Sequence, residues 1–171
     1  MTGFTSSLEV WNKRFSTTEY VFGEEPNAFL VAQAPLLGTG VALALADGEG
    51  RNSVWLAQQG LTVDAFDFSA PAVEKAKILA KKRQVRVNFS CTDWQSLKPG
   101  GTVVIQGYGK NQINYNTGGP GKLEHLYDED MLRQAFADYE LLVCESYEST
   151  INEGAGHSGM SALIGFVARK P

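Results

Sequence analysis

The sequence predicts an α/β fold in which a doubly wound, mostly parallel sheet is followed by a C-terminal antiparallel hairpin. The apolar run Val41–Ala46 ends in a glycine-containing turn and passes at once into a helical pattern, which is typical of a buried strand followed by a helix. A second apolar run, Thr62–Asp67, supplies the next strand of the same strand–helix–strand unit. The last two runs, Tyr139–Ile151 and Met160–Lys170, flank a glycine-rich turn and predict the hairpin.

Helical patterns alternate with these strands along the chain. Proline at a first turn, apolar spacing and glycine stop signals predict the helix bounds. The predicted helices run from Ala28 to Leu36, from Asn52 to Gln59, from Pro71 to Arg83 and from Asp128 to Phe136. Two further strands are predicted at Val85–Cys91 and Thr102–Gln106, and a long polar loop at 108–127.

The turn after the first strand is the centre of the functional prediction. Its residues, Ala46-Asp-Gly-Glu-Gly50, include glycines that lack a Cβ and so let a ligand approach the backbone. Asp67 ends the second strand, and in a strand–helix–strand unit such an acid reaches the same crevice and can accept hydrogen bonds from a ribose diol. We therefore expect a nucleotide-like ligand here, with an ordinary turn that binds nothing as the alternative.

Two nucleotide-binding patterns compete for this turn. Aligning it with the dinucleotide pattern G-x-G-x-x-G puts Arg51 at the third glycine, which disfavours an NAD-dependent oxidoreductase. The spacing Ala46-x-Gly48-x-Gly50 instead resembles the G-x-G-x-G turn of class I S-adenosylmethionine-dependent methyltransferases, with alanine for the first glycine. A second departure is Ala44, which stands where that motif usually has an acid.

Two further segments carry the same resemblance. The N-terminal pieces Trp11-Asn-Lys-Arg-Phe15, Glu19-Tyr-Val-Phe-Gly23 and Pro26-Asn-Ala-Phe29 resemble small methyltransferases of the tellurite-resistance and thiopurine methyltransferase group. Leu97-Lys-Pro-Gly-Gly101 resembles the L-x-P-G-G phrase that joins a helix to the fifth strand of these enzymes. The resemblance extends over most of the chain, and it implies a Rossmann-like fold, S-adenosylmethionine as cofactor and methyl transfer as activity.

The resemblance also implies a set of cofactor contacts. It consists of turn residues, the acid ending the second strand with its neighbour, a pair after the third strand, and two N-terminal aromatic residues. The implied cofactor-binding residues are Trp11, Phe22, Asp47, Gly48, Gly50, Asp67, Phe68, Thr92 and Asp93. In this scheme the acid binds the ribose hydroxyls, Phe68 and the pair border the adenine, and the N-terminal aromatic residues cover the cofactor. Residues 1–25 are accordingly interpreted as an N-terminal lid or arm that lacks a regular period.

The chemistry of methyl transfer leaves the catalytic residues unassigned. A sulfonium methyl group is already activated, so positioning of the acceptor supplies much of the acceleration and no nucleophile–base triad is required. The acceptor-side candidates are His157, Tyr108, Tyr115 and Arg14, and Glu49 is interpreted as a surface or capping carboxylate. A catalytically silent module that binds S-adenosylmethionine or a nucleotide is the alternative, favoured by the alanine in the turn and by a short middle region.

Composition indicates the broad class and the partners. A chain of 171 residues with 43% hydrophobic and 20% charged residues suits one globular domain over residues 1–171. The net charge of −4 gives no basic footprint for nucleic acid, and the absence of a long apolar run argues against a membrane. We expect a cytoplasmic protein with a small-molecule acceptor, and a homo-oligomer is left open. Cys91 and Cys144 are interpreted as buried free thiols, and two histidines argue against a metal centre.

One segment of the family pattern has no counterpart in the sequence. Between residues 91 and 98 the chain lacks a fourth strand and its following helix, although parallel strands normally need a crossover of a dozen or more residues. One explanation is a segment of roughly 30 residues that exists in the chain but is hidden from view. The other is a real deletion, after which the Thr102 strand pairs directly beside the first strand. We favour the first explanation.

Overall fold

The structure is a computed structural model that covers residues 1–171 and describes residues 3–91, 99–115, 117–119, 121–153 and 157–171. The helices are α1 (Gly3–Phe15), α2 (Ala28–Ala32), α3 (Arg51–Gln58), α4 (Ala70–Lys82) and α5 (Glu129–Ala135). The strands are β1 (Val41–Leu45), β2 (Thr62–Asp67), β3 (Asn88–Cys91), β4 (Thr102–Tyr108), β5 (Glu140–Glu153) and β6 (His157–Arg169). Short 3₁₀ turns lie at Ala34–Leu36, Lys110–Asn114 and Leu123–His125. None of the helices in the described ranges combines the length and the apolar character needed to span a lipid bilayer.

The chain divides into two compact units. The first comprises Met1–Asn27 with Gly38–Ser96, and the second comprises Ala28–Leu37 with Leu97–Pro171. The first unit holds a parallel sheet of order β1-β2-β3, and the second holds an antiparallel sheet of order β4-β6-β5. The predicted α/β class, the parallel strands and the C-terminal hairpin are therefore confirmed.

The helices of the first unit bury the apolar stripe that the sequence predicts, with one exception. On α3, Val54 and Leu56 are buried. On α4 the buried residues recur at helical spacing, at Ala72, Val73, Ala76, Leu79 and Ala80. Ile78 was expected to face the sheet, but it is 62% exposed because its position falls on the opposite side of that stripe.

The N-terminal segment is more regular than expected. The sequence analysis predicts an arm without a period, whereas α1 is a helix of 13 residues. Trp11 and Phe15 are four residues apart and stack with their ring centroids 5.3 Å apart, as neighbours on one helix face do. The helix ends at Phe15, after which the Ser16 hydroxyl donates to the Asn12 carbonyl at 2.6 Å. The aromatic residues therefore form one face of a helix, which an apolar count alone does not reveal.

The second unit is built around β6. Its central residues are buried, and Ile164, Phe166 and Ala168 form a core with Leu132 of α5. The helix predicted at Ala28–Leu36 ends already at Ala32, because Pro35 has no N–H to continue it, and a 3₁₀ turn follows.

Two expectations about the middle of the chain are wrong. A hidden segment between Cys91 and Lys98 is excluded, since the complete sequence has 171 residues and the structure covers all of them. Direct pairing of the Thr102 strand with β1 is also not found, because β1 and β4 belong to separate sheets of the described strands. Residues 92–98 themselves lie outside the described part of the chain.

The two cysteines differ in their surroundings. Both are free, but Cys91 is exposed, contrary to the expectation of two buried thiols. It lies on β3, an edge strand, where one side of the sheet has no neighbouring strand. Cys144 is half-buried, and burial raises the pKa of its thiol.

Candidate cofactor-binding site

The turn between β1 and α3 has the backbone conformation that its glycine spacing predicts. Ala46, Gly48 and Gly50 have φ angles of 48°, 61° and 88°, so all three lie in the left-handed region. This conformation costs a non-glycine residue about 1–2 kcal/mol. A Cβ on Gly50 would lie 2.7 Å from the Cβ of Ala76, which excludes a side chain there. The backbone of Ala46 therefore occupies the place of the first glycine in a G-x-G-x-G turn.

Asp67 connects this turn to the end of β2. Its Oδ2 accepts a hydrogen bond from the Gly48 N–H at 2.9 Å, and its Oδ1 accepts one from the Ser69 N–H at 2.8 Å. The side chain is only 5% exposed, and each carboxylate oxygen retains a second acceptor direction. The structure thus brings together the acid and the turn that the sequence analysis singled out.

Asp47, at the start of the turn, is held by Ser53 of α3. Its Oδ2 accepts from the Ser53 hydroxyl at 2.5 Å, and its Oδ1 accepts from the Ser53 N–H at 3.3 Å. Desolvation is the largest influence and raises the pKa of Asp47 to about 6; the hydrogen bonds from Ser53 oppose this rise, and the nearby Asp67 carboxylate adds to it. Asp47 therefore changes its charge close to neutral pH.

A cluster of aromatic rings lies on the glycine turn. The Phe15 ring approaches to 3.6 Å from the position that a Cβ on Gly48 would take. The Trp11 and Phe22 ring centroids are 6.4 Å apart, and the centroids of Phe15 and Phe22 are 6.2 Å apart. In the same unit, the Ser69 hydroxyl donates to the Asn12 carbonyl oxygen at 2.8 Å, which fixes α1 beside Asp67. The structure thus places Trp11 and Phe22 in one cluster with Phe15, which the sequence analysis missed.

Arg14 belongs to this cluster. Its guanidinium carbon lies 5.2 Å from the Trp11 ring centroid and 5.1 Å from that of Phe22, within the range of cation–π contacts. No ion pair joins Arg14 to a carboxylate among the residues that the structure describes. Arg14 was an acceptor-side candidate, but it stands together with the two aromatic residues assigned to the cofactor.

Glu49 has surroundings that the sequence analysis did not anticipate. It was interpreted as a surface or capping carboxylate, yet it is only 3% exposed. Its Oε1 pairs with the Lys75 ammonium group at 2.6 Å, although Lys75 was expected to lie on a solvated face of α4. The two residues are 26 positions apart, so no local pattern connects them. The available signal was the placement of a carboxylate between two glycines of a buried turn.

The remaining predicted cofactor residues are less constrained. Phe68 is 40% exposed, next to Asp67. Thr92 and Asp93 lie outside the described residues.

The other acceptor-side candidates belong to the second unit. Tyr108 is buried with Leu126 and Leu163. Tyr115 is half-buried, and a hydrogen bond with Glu148 raises the pKa of its phenol. His157 is the first residue of β6, where its backbone pairs with Glu153, and therefore does not lie in a loop as expected.

The polar loop after β4 is organised by one buried amide that the sequence analysis missed. Gln112 is 1% exposed, and its Oε1 accepts a hydrogen bond from the Ala162 N–H at 2.8 Å. Its Nε2 donates to the Gly118 carbonyl at 2.8 Å. One side chain thus joins β6 to both halves of the loop, which gives the loop a defined path.

Comparisons with known proteins agree with this fold. Residues 42–105 match the family model described as a methyltransferase domain. A comparison of the sequence with curated proteins finds no match. Similar solved structures include one described by the conversion of a disulfide bond into a thioacetal group during echinomycin biosynthesis. It is 15% identical, covers 97% of this chain and 91% of its own, and has a TM-score of 0.71.

Two further structures have the same fold. A SAM-dependent methyltransferase from Anabaena variabilis is 15% identical with a TM-score of 0.65, covering 100% of this chain and 96% of its own. TehB from Haemophilus influenzae is 16% identical with a TM-score of 0.63, covering 96% of this chain and 67% of its own. The matched region contains β1, the glycine turn, α3, β2, α4 and β3, which is the part of the chain that carries the sequence resemblance. The chain therefore belongs to the class I S-adenosylmethionine-dependent methyltransferases, a family of enzymes that use S-adenosylmethionine as cofactor.

Proposed function

We propose that the protein transfers the methyl group of S-adenosylmethionine to a small-molecule acceptor, and that the cofactor binds on the turn Asp47–Gly50. The observation that carries this proposal is the contact between Gly48 and Asp67, in which a left-handed glycine turn meets a buried carboxylate at the ends of two parallel strands. Ligands of open α/β sheets bind at this edge.

The residues around the turn fit the parts of the cofactor. Asp67 is suited to the ribose hydroxyls, because its oxygens retain acceptor capacity and lie at the glycine backbone. Trp11 and Phe22 present aromatic faces, which attract a sulfonium cation and exclude water from it. Arg14 offers a planar guanidinium, which suits the carboxylate of the methionine portion.

Bound S-adenosylmethionine supplies a methyl group that is already activated by the sulfonium. The protein then has to orient the acceptor and keep water away, and both tasks are served by positioned side chains without a covalent intermediate. Tyr108, Tyr115 and His157 remain acceptor-side predictions from the sequence. We assign no general base, because a proton must be removed only if the acceptor carries one at neutral pH.

Small acceptors are favoured by the comparisons. The proteins of similar fold include TehB and a protein of echinomycin biosynthesis. We therefore place a thiol, a metalloid oxyanion, a halide and a small metabolite in the first acceptor panel. Formation of S-adenosylhomocysteine from S-adenosylmethionine, measured with and without each acceptor, tests the proposal. Acceptor-dependent formation is expected with at least one compound.

A catalytically silent binding module is the second candidate. The short connection between β3 and β4 favours it, because the family pattern places a strand and a helix there. This candidate predicts that S-adenosylhomocysteine binds while no acceptor in the panel or in a metabolite extract is methylated. Binding without any turnover would thus replace the enzymatic proposal by the silent one.

A further inference from the structure

The carboxylate of Glu49 is spent on the N-terminal segment that follows α1. Glu49 lies inside the glycine turn, and its Oε2 accepts hydrogen bonds from the backbone N–H groups of Val21 at 2.8 Å and Phe22 at 3.4 Å. Its other oxygen pairs with Lys75 at 2.6 Å. A carboxylate this deeply buried, with three donors, acts as a fixed anchor and is not available to a ligand.

Lys75 grips the same segment from the opposite side. Its ammonium group also donates to the Glu19 carbonyl at 2.6 Å and lies 5.2 Å from the Tyr20 ring centroid. The Tyr20 hydroxyl in turn donates to the backbone carbonyl of Lys75 at 3.0 Å. The Lys75 side chain is only 12% exposed, so solvent screens these contacts little. Residues 19–22, here called the arm, are thus held at every position by the pair.

The arm carries one of the aromatic residues on the turn. Phe22 follows directly on the Glu49 contacts, and its ring belongs to the cluster with Trp11 and Phe15. The Phe15 ring lies on Gly48, the residue that precedes Glu49. The chain therefore closes a circuit: the turn holds the arm through Glu49, and the aromatic cluster that includes the arm covers the turn.

We propose that Glu49 and Lys75 are positioning residues that hold the aromatic cluster on the cofactor turn before the cofactor binds. The arm is then a preformed wall of the site, in contrast to the mobile lid expected from the sequence. This inference rests on the proposed function, because it concerns the same turn. Its consequence is kinetic, since a cover fixed in advance slows the departure of the cofactor and lowers the ordering required for binding.

Two single variants and their combination separate positioning from stability. Glu49→Gln leaves the lysine buried without a counter-charge, and Lys75→Met leaves the carboxylate in the same state. The double variant removes both charges and avoids an unpaired buried ion. Lys77→Met is the matched control, because Lys77 lies on the same helix and pairs with Glu74 at 2.7 Å on the surface. Lys75→Arg keeps the charge and tests rescue.

Hydrogen exchange of the Val21 and Phe22 amides in the cofactor-free protein is the first readout. Both amides should be protected in the wild type and in Lys77→Met, and they should exchange about 10- to 100-fold faster in Glu49→Gln and in the double variant, as the loss of a hydrogen bond to a charged group implies. Amides of α3 should keep their protection, which shows that the domain is folded. Equal exchange of the arm amides in wild type and double variant would overturn the proposal.

The release of S-adenosylhomocysteine is the second readout. Its dissociation rate, followed by stopped-flow fluorescence, should rise about tenfold or more in the double variant, remain within about twofold in Lys77→Met and be partly restored by Lys75→Arg. An unchanged dissociation rate together with a loosened arm would contradict the positioning role. Failure of the proposed function looks different, because S-adenosylhomocysteine would then not bind the wild type either.

Discussion

The Gly48 backbone donates a hydrogen bond to the buried carboxylate of Asp67 at 2.9 Å, which ties the turn after β1 to the end of β2. The same carboxylate accepts from the Ser69 N–H at the start of α4. One side chain thereby fixes two loops at the carboxyl ends of neighbouring parallel strands, where ligands of open α/β sheets bind. The cofactor site is therefore preorganised by residues that come from separate parts of the sequence.

The glycine turn makes a stability prediction with its own internal control. Gly50→Ala forces a Cβ to within 2.7 Å of Ala76 at a φ of 88°, so we expect unfolding free energy to fall by about 2–5 kcal/mol. Ala46→Gly relieves a left-handed alanine but adds freedom to the unfolded chain, so its stability should stay level or rise by up to about 1 kcal/mol. Urea unfolding measures both. A destabilised Ala46→Gly would contradict the turn geometry.

Asp47 should make stability depend on pH near neutrality. Its pKa is raised from 3.8 to about 6, so the folded protein holds this proton more tightly than the unfolded chain does. Its contribution is therefore fully present at about pH 4 and is lost as the pH rises through about 6. The free energy of unfolding of the wild type, measured relative to Asp47→Asn, should fall between these values. Ser53→Ala removes a hydrogen bond that lowers this pKa and should move the transition to higher pH.

A difference that stays constant from about pH 4 to pH 8 would show that Asp47 does not titrate in this range. Its surroundings would then be more solvated than the structure indicates.

Arg14 is expected to select ligands that carry a carboxylate. Arg14→Gln should weaken S-adenosylhomocysteine by roughly 10- to 100-fold, as for one hydrogen bond between charged groups, and should leave 5′-methylthioadenosine unaffected because that compound lacks the carboxylate. Lys13→Gln, the neighbouring change on α1, is the control. Calorimetric titrations give the affinities. If Arg14 serves the acceptor instead, the affinity for S-adenosylhomocysteine stays unchanged and the KM of the acceptor rises.

The parts of the fold that local patterns determine could be predicted from the sequence. β2 begins and ends at the predicted residues, Thr62 and Asp67, because an apolar run bounded by turn residues fixes both ends. The hairpin of β5 and β6 was also predicted, although its strands extend further into the glycine-rich turn than the pattern indicated. The prediction of Asp67 at the glycine turn succeeded because parallel strands of one unit bring their carboxyl ends to the same edge.

The parts that depend on distant contacts could not be predicted in this way. The Glu49–Lys75 pair joins residues 26 positions apart, and the Gln112–Ala162 hydrogen bond joins residues 50 apart. A buried charge or amide has no periodic signature, because its place is decided by the partner that neutralises it. The helix α1 was missed for a different reason, since its buried face consists of aromatic residues spread among polar ones.

The most direct test of the cofactor site is a calorimetric titration of S-adenosylhomocysteine into the wild type, Asp67→Ala and Asp64→Ala. Asp64 lies on the same strand and bonds only to the exposed Asn88 side chain, at 2.8 Å, so its loss controls for a general effect of removing an acid. We predict that the wild type and Asp64→Ala bind alike and that Asp67→Ala loses at least tenfold in affinity, from about 1.5–3 kcal/mol per hydrogen bond to a charged group. NAD should not bind. Wild-type affinity in Asp67→Ala would contradict the assignment of the cofactor to this turn.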